Sequence, residues 1–249
     1  MSMPYQSLAD QLVPFETFDR NAFIEDAQVP QRVCDLVLSL AQAFDDFRDV
    51  FFARELVSEV PSPPNGVRTV SLGLRNGLQN VLIRVQTGFI HELLNLIRDS
   101  GPTISDPAFQ RVLRQLSKEG KLAWKAIYDV GTNKPSNDRI AQALLFIRNK
   151  VAFHYDAKQL GRGYKSAFFE LGIHGDPLIS RGSKMYQTRF YFADASSEAY
   201  IFSQAKEDRI REFLVGEGEL LYSINQALYE VVTRFIQMRS AWMQAKTHG

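Results

Sequence analysis

The chain has one cysteine, Cys34, and four histidines, His91, His154, His174 and His248, spread over 249 residues. A single thiol builds no disulfide framework, and its apolar neighbourhood reads as a buried cysteine in a reducing, cytoplasmic compartment. Scattered imidazoles without a second thiol leave too few soft ligands at useful spacing for zinc, so neither metal nor cofactor is expected. No stretch reaches the roughly 18 uninterrupted apolar residues of a membrane span, and the start, MSMPYQSLADQ, has no basic region leading into an apolar run. Secretion and membrane insertion are therefore not expected. Net charge is only +1, so no global field gathers nucleic acid, and any RNA contact has to come from a local basic patch. A phosphate-binding loop is also lacking: GRGYKS, Gly161 to Ser166, has neither the Walker spacing nor a preceding strand.

What is present is apolar mass at helical spacing. The 18 phenylalanines and 9 tyrosines exceed what a core of this size needs, leaving some for an oligomer interface or a ligand groove. Residues 1–30, with Pro4, Pro14 and Pro30, read as an irregular arm. From Gln31 to about Val57 the residues Val33, Val37, Leu40, Phe44, Phe47 and Phe51 recur at three- and four-residue steps, which is a helix. After Pro61, Pro63 and Pro64 a second periodic run extends from Val67 to about Asp99, with Gly73, Gly77 and Gly88 inside it as points of bending or close helix contact. A third helix is expected from Pro107 to Val130, with Phe109, Val112, Leu116, Trp124 and Ile127 inward. A fourth, capped by Ser136 or Asn137, runs to about Leu160. Residues 31–160 thus form a helical bundle.

Residues 161–203 read as an insertion: a glycine-rich loop over Gly161 to Gly182, then a hairpin in which Tyr186, Thr188, Phe190 and Phe192 alternate with other residues and Tyr200 to Phe202 pair back. Helical periodicity returns over residues 204–249, a C-terminal helix packing on the bundle. The expected fold is all-α, an antiparallel helical bundle with a small β-hairpin insertion.

One segment of the fourth helix carries distinctive chemistry: RNKVAFHYD, Arg148 to Asp156. Ile140, Leu144, Ile147 and Val151 form the core stripe of an ideal helix, and Arg148 and His154 fall on its opposite margins, about 120° apart. Within one straight helix they do not converge. Leu145, Phe146, Ala152 and Phe153 add apolar area on the far side, and a helix apolar nearly all round is buried at a bundle centre or against a second copy of the chain. Imidazole exchanges a proton near neutral pH, and guanidinium holds a phosphate as negative charge builds on it. Together they suffice for metal-independent RNA cleavage by the ribose 2′-hydroxyl, a reaction that spares DNA.

Arg148, the polar Asn149 and His154 after five intervening residues resemble the R-x4-6-H motif of the HEPN superfamily, whose members are helical bundles. The resemblance covers about Gln31 to Leu160. It implies a homodimer whose motif helices pair to form one composite cleft, a metal-independent endoribonuclease of the toxin–antitoxin or antiphage kind, with an antitoxin or regulatory protein as a further partner. On this reading Arg148 binds and stabilises the phosphate, His154 is the general acid or base, and Asn149 orients the pair or the RNA. Lys150, Tyr155, Arg162 and Lys165 contact the RNA. The chain departs from the compact family pattern in the residues after the motif and in having Tyr155 directly after His154 rather than an H-x-Y ending. The other open reading is a noncatalytic helical dimer that binds a partner protein or RNA, with His154 bonded at the core margin and Arg148 in an ion pair.

Elsewhere the basic residues Arg162, Lys165, Arg181 and Lys184, with Tyr164 among them, either contact RNA phosphates and stack a base or form a solvated loop. His174 and Asp176 in GIHGDP read as turn chemistry, and His91 as a satisfied core residue.

Overall fold

The computed structural model describes residues 17–59, 70–132, 157–170, 176–180, 188–204 and 221–240. The fold is all-α. Two compact units divide the chain, one from Met1–Asp49, Phe89–Asn137 and Glu217–Gly249, the other from Val50–Gly88 and Asp138–Gly216.

In the first unit the three- and four-residue spacing of apolar side chains becomes the buried face of each helix. Helix α1, Gln31–Ser58, buries Val33, Val37, Leu40 and Phe47. Helix α2, Val70–Asp99, contributes Ile90, Leu93 and Ile97. A single turn, α3, spans Gly101–Ile104. Helix α4, Pro107–Arg114, starts where Asp106 accepts from the Ala108 amide at 2.8 Å, with Pro107 ready-shaped for the first turn. Helix α5, Lys118–Gly131, brings in Ala123, Trp124 and Ile127. The last described helix, 221–240, lays Ile224, Leu228, Val231 and Phe235 into the same core.

The single helix expected from Pro107 to Val130 is two. Between α4 and α5, Ser117 leaves the helical region (φ −58°, ψ 171°), and its hydroxyl accepts from the Gly120 amide at 2.9 Å. The Glu230 carboxylate takes the Ser117 amide at 2.8 Å and its hydroxyl at 2.6 Å. Side chains thus satisfy groups that a continuous helix would have paired internally, so the break is favourable. Gly120 is required by that closeness: a β-carbon there would stand 2.3 Å from Glu230 Oε2.

Before α1, Arg20–Phe23 makes one 3-10 turn capped by Asp19, and Ala22 and Val29 are buried. Phe23 packs on Phe235 with ring centroids 5.2 Å apart.

The second unit takes the C-terminal end of α1 from Val50 and α2 as far as Gly88, joined by the Arg54 guanidinium donating to the buried Gln86 amide oxygen at 2.8 Å. Helix α6, Ala157–Lys165, continues as a π-helical turn over Ser166–Glu170. The loop expected over Gly161 to Gly182 is therefore helical through Glu170. Each interior glycine costs about 1 kcal/mol of helix propensity, but Gly163 allows a backbone approach that any side chain forbids. An added β-carbon would meet the Ser196 carbonyl oxygen at 1.9 Å.

That carbonyl belongs to helix α7, Tyr191–Gln204. The hairpin expected from Tyr186–Phe192 pairing with Tyr200–Phe202 is overturned here: residues 200–202 lie in α7. Alternation among Thr188, Phe190 and Phe192 carried a strand signal, but Ser196, Ala199 and Tyr200 are buried at helical spacing against α6. Ser196 donates back to the Phe192 carbonyl at 2.5 Å. The only strands among the described residues are β1, Ile179–Ser180, and β2, Arg189–Phe190, antiparallel with Ile179 opposite Phe190.

Candidate functional site

Arg148, Asn149, Lys150, His154 and Tyr155 lie outside the described residues, as do His174, Arg181 and Lys184. Of the residues expected to contact RNA, Arg162 and Lys165 are described. Both are exposed on α6, and Lys158 is exposed on the same helix. Spaced by four and three residues, these cations fall within about 60° of arc and form one basic stripe. No acidic residue occurs in α6, whose sequence is AKQLGRGYK.

Tyr164 of the same helix is the hub of a chain of aromatic contacts. Tyr164 lies 4.8 Å from Phe168, 6.2 Å from Phe169 and 6.3 Å from Phe192, the last edge-on. Phe192 lies 5.8 Å from Phe190. The inner members, Tyr164, Phe168 and Phe192, are half-buried, whereas the two ends face solvent, Phe169 at 77% exposure and Phe190 at 59%. Three structural choices hold these ends. The π turn carries Phe169, the β1–β2 pair carries Phe190, and Gly163 lets α6 close on the helix that carries Phe192. Arg189, next to Phe190, is fixed by an ion pair with Asp194 at 2.9 Å and lies across Gly77 of α2.

Tyr164 with Arg162 and Lys165 was legible as an aromatic residue among cations. Lys158 and the Phe169 and Phe190 ends were not singled out. The adjacent phenylalanines of SAFFE and the aromatic residues around Thr188 are the signals, but the sequence pattern puts the first in a glycine-rich loop and the second in a strand.

His91 and Cys34 have structural explanations. His91 Nδ1 lies 3.0 Å from the Asn95 amide and 3.1 Å from Glu92, on a partly exposed side chain. Asp176 faces solvent. Cys34 is fully buried, and burial pushes its thiol pKa up, which suits packing and disfavours a nucleophile. A shallow cavity of about 370 Å³ between α3, α4 and α5 is lined by Gln110, Trp124, Tyr128 and the Lys125–Asp129 ion pair.

Among the described residues no helix is long and apolar enough to cross a membrane. Comparison with known families, with curated proteins and with solved structures gives no match.

Proposed function

We propose that this protein is a HEPN-like, metal-independent endoribonuclease of the toxin or antiphage type, with an active site composed of two copies of the chain. The observation that carries the reading is the segment RNKVAFHYD, in which Arg148, Asn149 and His154 match the R-x4-6-H motif. An all-α fold is the setting that motif calls for.

The chemistry follows from the side chains. Neutral His154 accepts the proton of a ribose 2′-hydroxyl as its oxygen attacks the adjacent phosphorus. The bond to the 5′-oxygen breaks, and that oxygen takes a proton from an imidazolium, leaving a 2′,3′-cyclic phosphate and a free 5′-hydroxyl. Arg148 neutralises the charge that accumulates on the phosphate oxygens, and Asn149 orients the pair. On an ideal helix Arg148 and His154 fall about 120° apart, so in the one composite cleft an arginine of one chain works with a histidine of the other. An antitoxin or regulatory protein holding the two copies inactive belongs to the same reading.

The test is cleavage of single-stranded RNA by the purified protein in EDTA. The wild-type chain is expected to cut RNA and spare DNA of the same sequence, and His154→Ala to lose about 100- to 10,000-fold in rate. Equal rates for the two proteins would remove His154 from the chemistry and leave a noncatalytic helical dimer as the better account.

A further inference from the structure

The aromatic chain and the basic stripe of the second unit are more than a scaffold requires. Basic residues in the last turn of a helix offset its exposed carbonyls, and that accounts for Arg162 and Lys165 alone. It does not account for the two exposed rings. A ring chain built only for packing would end inside, yet Phe169 and Phe190 are the most exposed phenylalanines among the described residues. The two ends are held differently, one by a π turn and the other by a strand pair, and π turns recur at functional positions.

We infer that Lys158, Arg162, Lys165, Phe169 and Phe190 form a binding platform for single-stranded RNA. The stripe tracks the phosphates, and the exposed rings receive unstacked bases. The pairing of cations with sequence-tolerant ring faces is the chemistry by which single strands are held, whereas duplex bases are stacked on one another and offer no face to a ring. From Lys158 to Lys165 the stripe runs about 10 Å at 1.5 Å per residue, and Phe169 extends it by one further turn. Glu170 and Asp176, both exposed, fall between Phe169 and Phe190 in sequence, and within α6 itself no acid separates the three cations. Choosing RNA over another anionic partner rests on the proposed ribonuclease function. The platform would favour unpaired regions of the substrate.

The test uses the full wild-type chain and a fluorescent 2′-O-methyl RNA of about 12 nucleotides, a length within the range such sites cover. A blocked 2′-hydroxyl cannot attack, so affinity is read independently of cleavage. Phe169→Ala and Phe190→Ala are each expected to weaken binding about tenfold. Arg162→Gln with Lys165→Gln is expected to lower the slope of log affinity against log salt by about 1.4, at 0.7 per phosphate contact. All of these positions are exposed, so native circular dichroism is expected throughout. A duplex of the same length should bind more weakly than the single strand and be indifferent to the phenylalanine changes.

Wild-type affinity in both phenylalanine variants overturns the platform, as does equal binding of duplex and single strand. Loss of self-association or of binding to phosphatidylserine vesicles, with RNA affinity unchanged, assigns the patch to a protein or lipid surface and overturns it too. Phenylalanine-dependent binding without cleavage of ordinary RNA leaves the platform standing and removes the ribonuclease reading.

Discussion

Arg239 Nη1 donates to Asp26 Oδ2 at 2.8 Å, although 213 residues separate them and Arg239 is only 1% exposed. The other guanidinium nitrogens are spent on backbone: Nε on the Ala22 carbonyl at 2.8 Å, Nη2 on those of Asn21 at 3.2 Å and Ile24 at 2.5 Å. One buried side chain therefore ties the segment before α1 to the 221–240 helix. Truncating one partner of a buried charged pair leaves the other groups unsatisfied, which costs about 3–5 kcal/mol. With Asp26 partly solvated, Arg239→Met is expected at the lower end, about 3 kcal/mol in chemical denaturation, with faster proteolysis before α1.

The same pair sets an acid limit. Burial pushes the Asp26 carboxyl up, but the amides of Gln28 and Val29 and the Arg239 guanidinium outweigh it and hold the pKa at about 2, below the ordinary 3.8. Asp106 and Glu230 are also lowered: burial opposes the shift in both, and hydrogen bonds from Ala108 and Arg32, and from Ser117 and Gln226, win. A folded-state pKa below the unfolded value means stability that is complete above the ordinary pKa and is lost as pH falls. Stability should be level from neutral pH to about pH 5 as far as these groups are concerned, then drop through the acid range as Asp26 titrates towards about 2. A melting curve at stepped pH checks this, and Arg239→Met should flatten the limb.

Glu230 and Gly120 form a lock on the α4–α5 break. Gly120→Ala puts a β-carbon 2.3 Å from the carboxylate and drives it off Ser117. The expected loss is about 1–3 kcal/mol, the usual cost of overpacking. Ser117→Ala removes a cap and costs about 1 kcal/mol. Because both changes act through the one carboxylate, the double variant should lose less than the sum of the two, measured by urea unfolding.

Gly163→Ala tests the α6–α7 contact. The neighbour it would meet is the Ser196 backbone carbonyl, which cannot turn aside like a side chain. The helices must separate at a cost of about 1–3 kcal/mol. Gly161→Ala, where an added β-carbon meets nothing within 4 Å, should instead be neutral or gain up to about 1 kcal/mol in helix propensity.

These residues also mark where the sequence was readable. Periodicity located α1, α2 and the C-terminal helix because Val33, Val37 and Leu40, or Leu228, Val231 and Phe235, repeat a spacing that only a helix presents to one side. The break at Ser117 was hidden because apolar Leu116 keeps the helical phase while the deciding carboxylate lies 113 residues away. The α7 segment was misread because local alternation favoured a strand, and its burial depends on Gly163 of another helix. Part of the periodic face is not core at all: Phe51, Leu78 and Val81 fit the pattern yet are 46–50% exposed. In the candidate site the cations of α6 were legible as charges, whereas a ring chain running from Phe169 through Tyr164 to Phe190 exists only once three elements meet. Arg148 and His154 were legible as a motif because two residue types at one spacing suffice to suggest it.

The central claim is that Arg148 and His154 act together across two copies of the chain. The direct measurement is RNA cleavage in EDTA by Arg148→Ala alone, by His154→Ala alone, and by the two unfolded, mixed and refolded together. Each variant alone should be at background. The mixture should recover a fraction of wild-type activity, because in a mixed dimer the intact arginine of one chain meets the intact histidine of the other. A mixture as inactive as its parts, alongside an active wild-type enzyme and confirmed mixed dimers, would contradict the account.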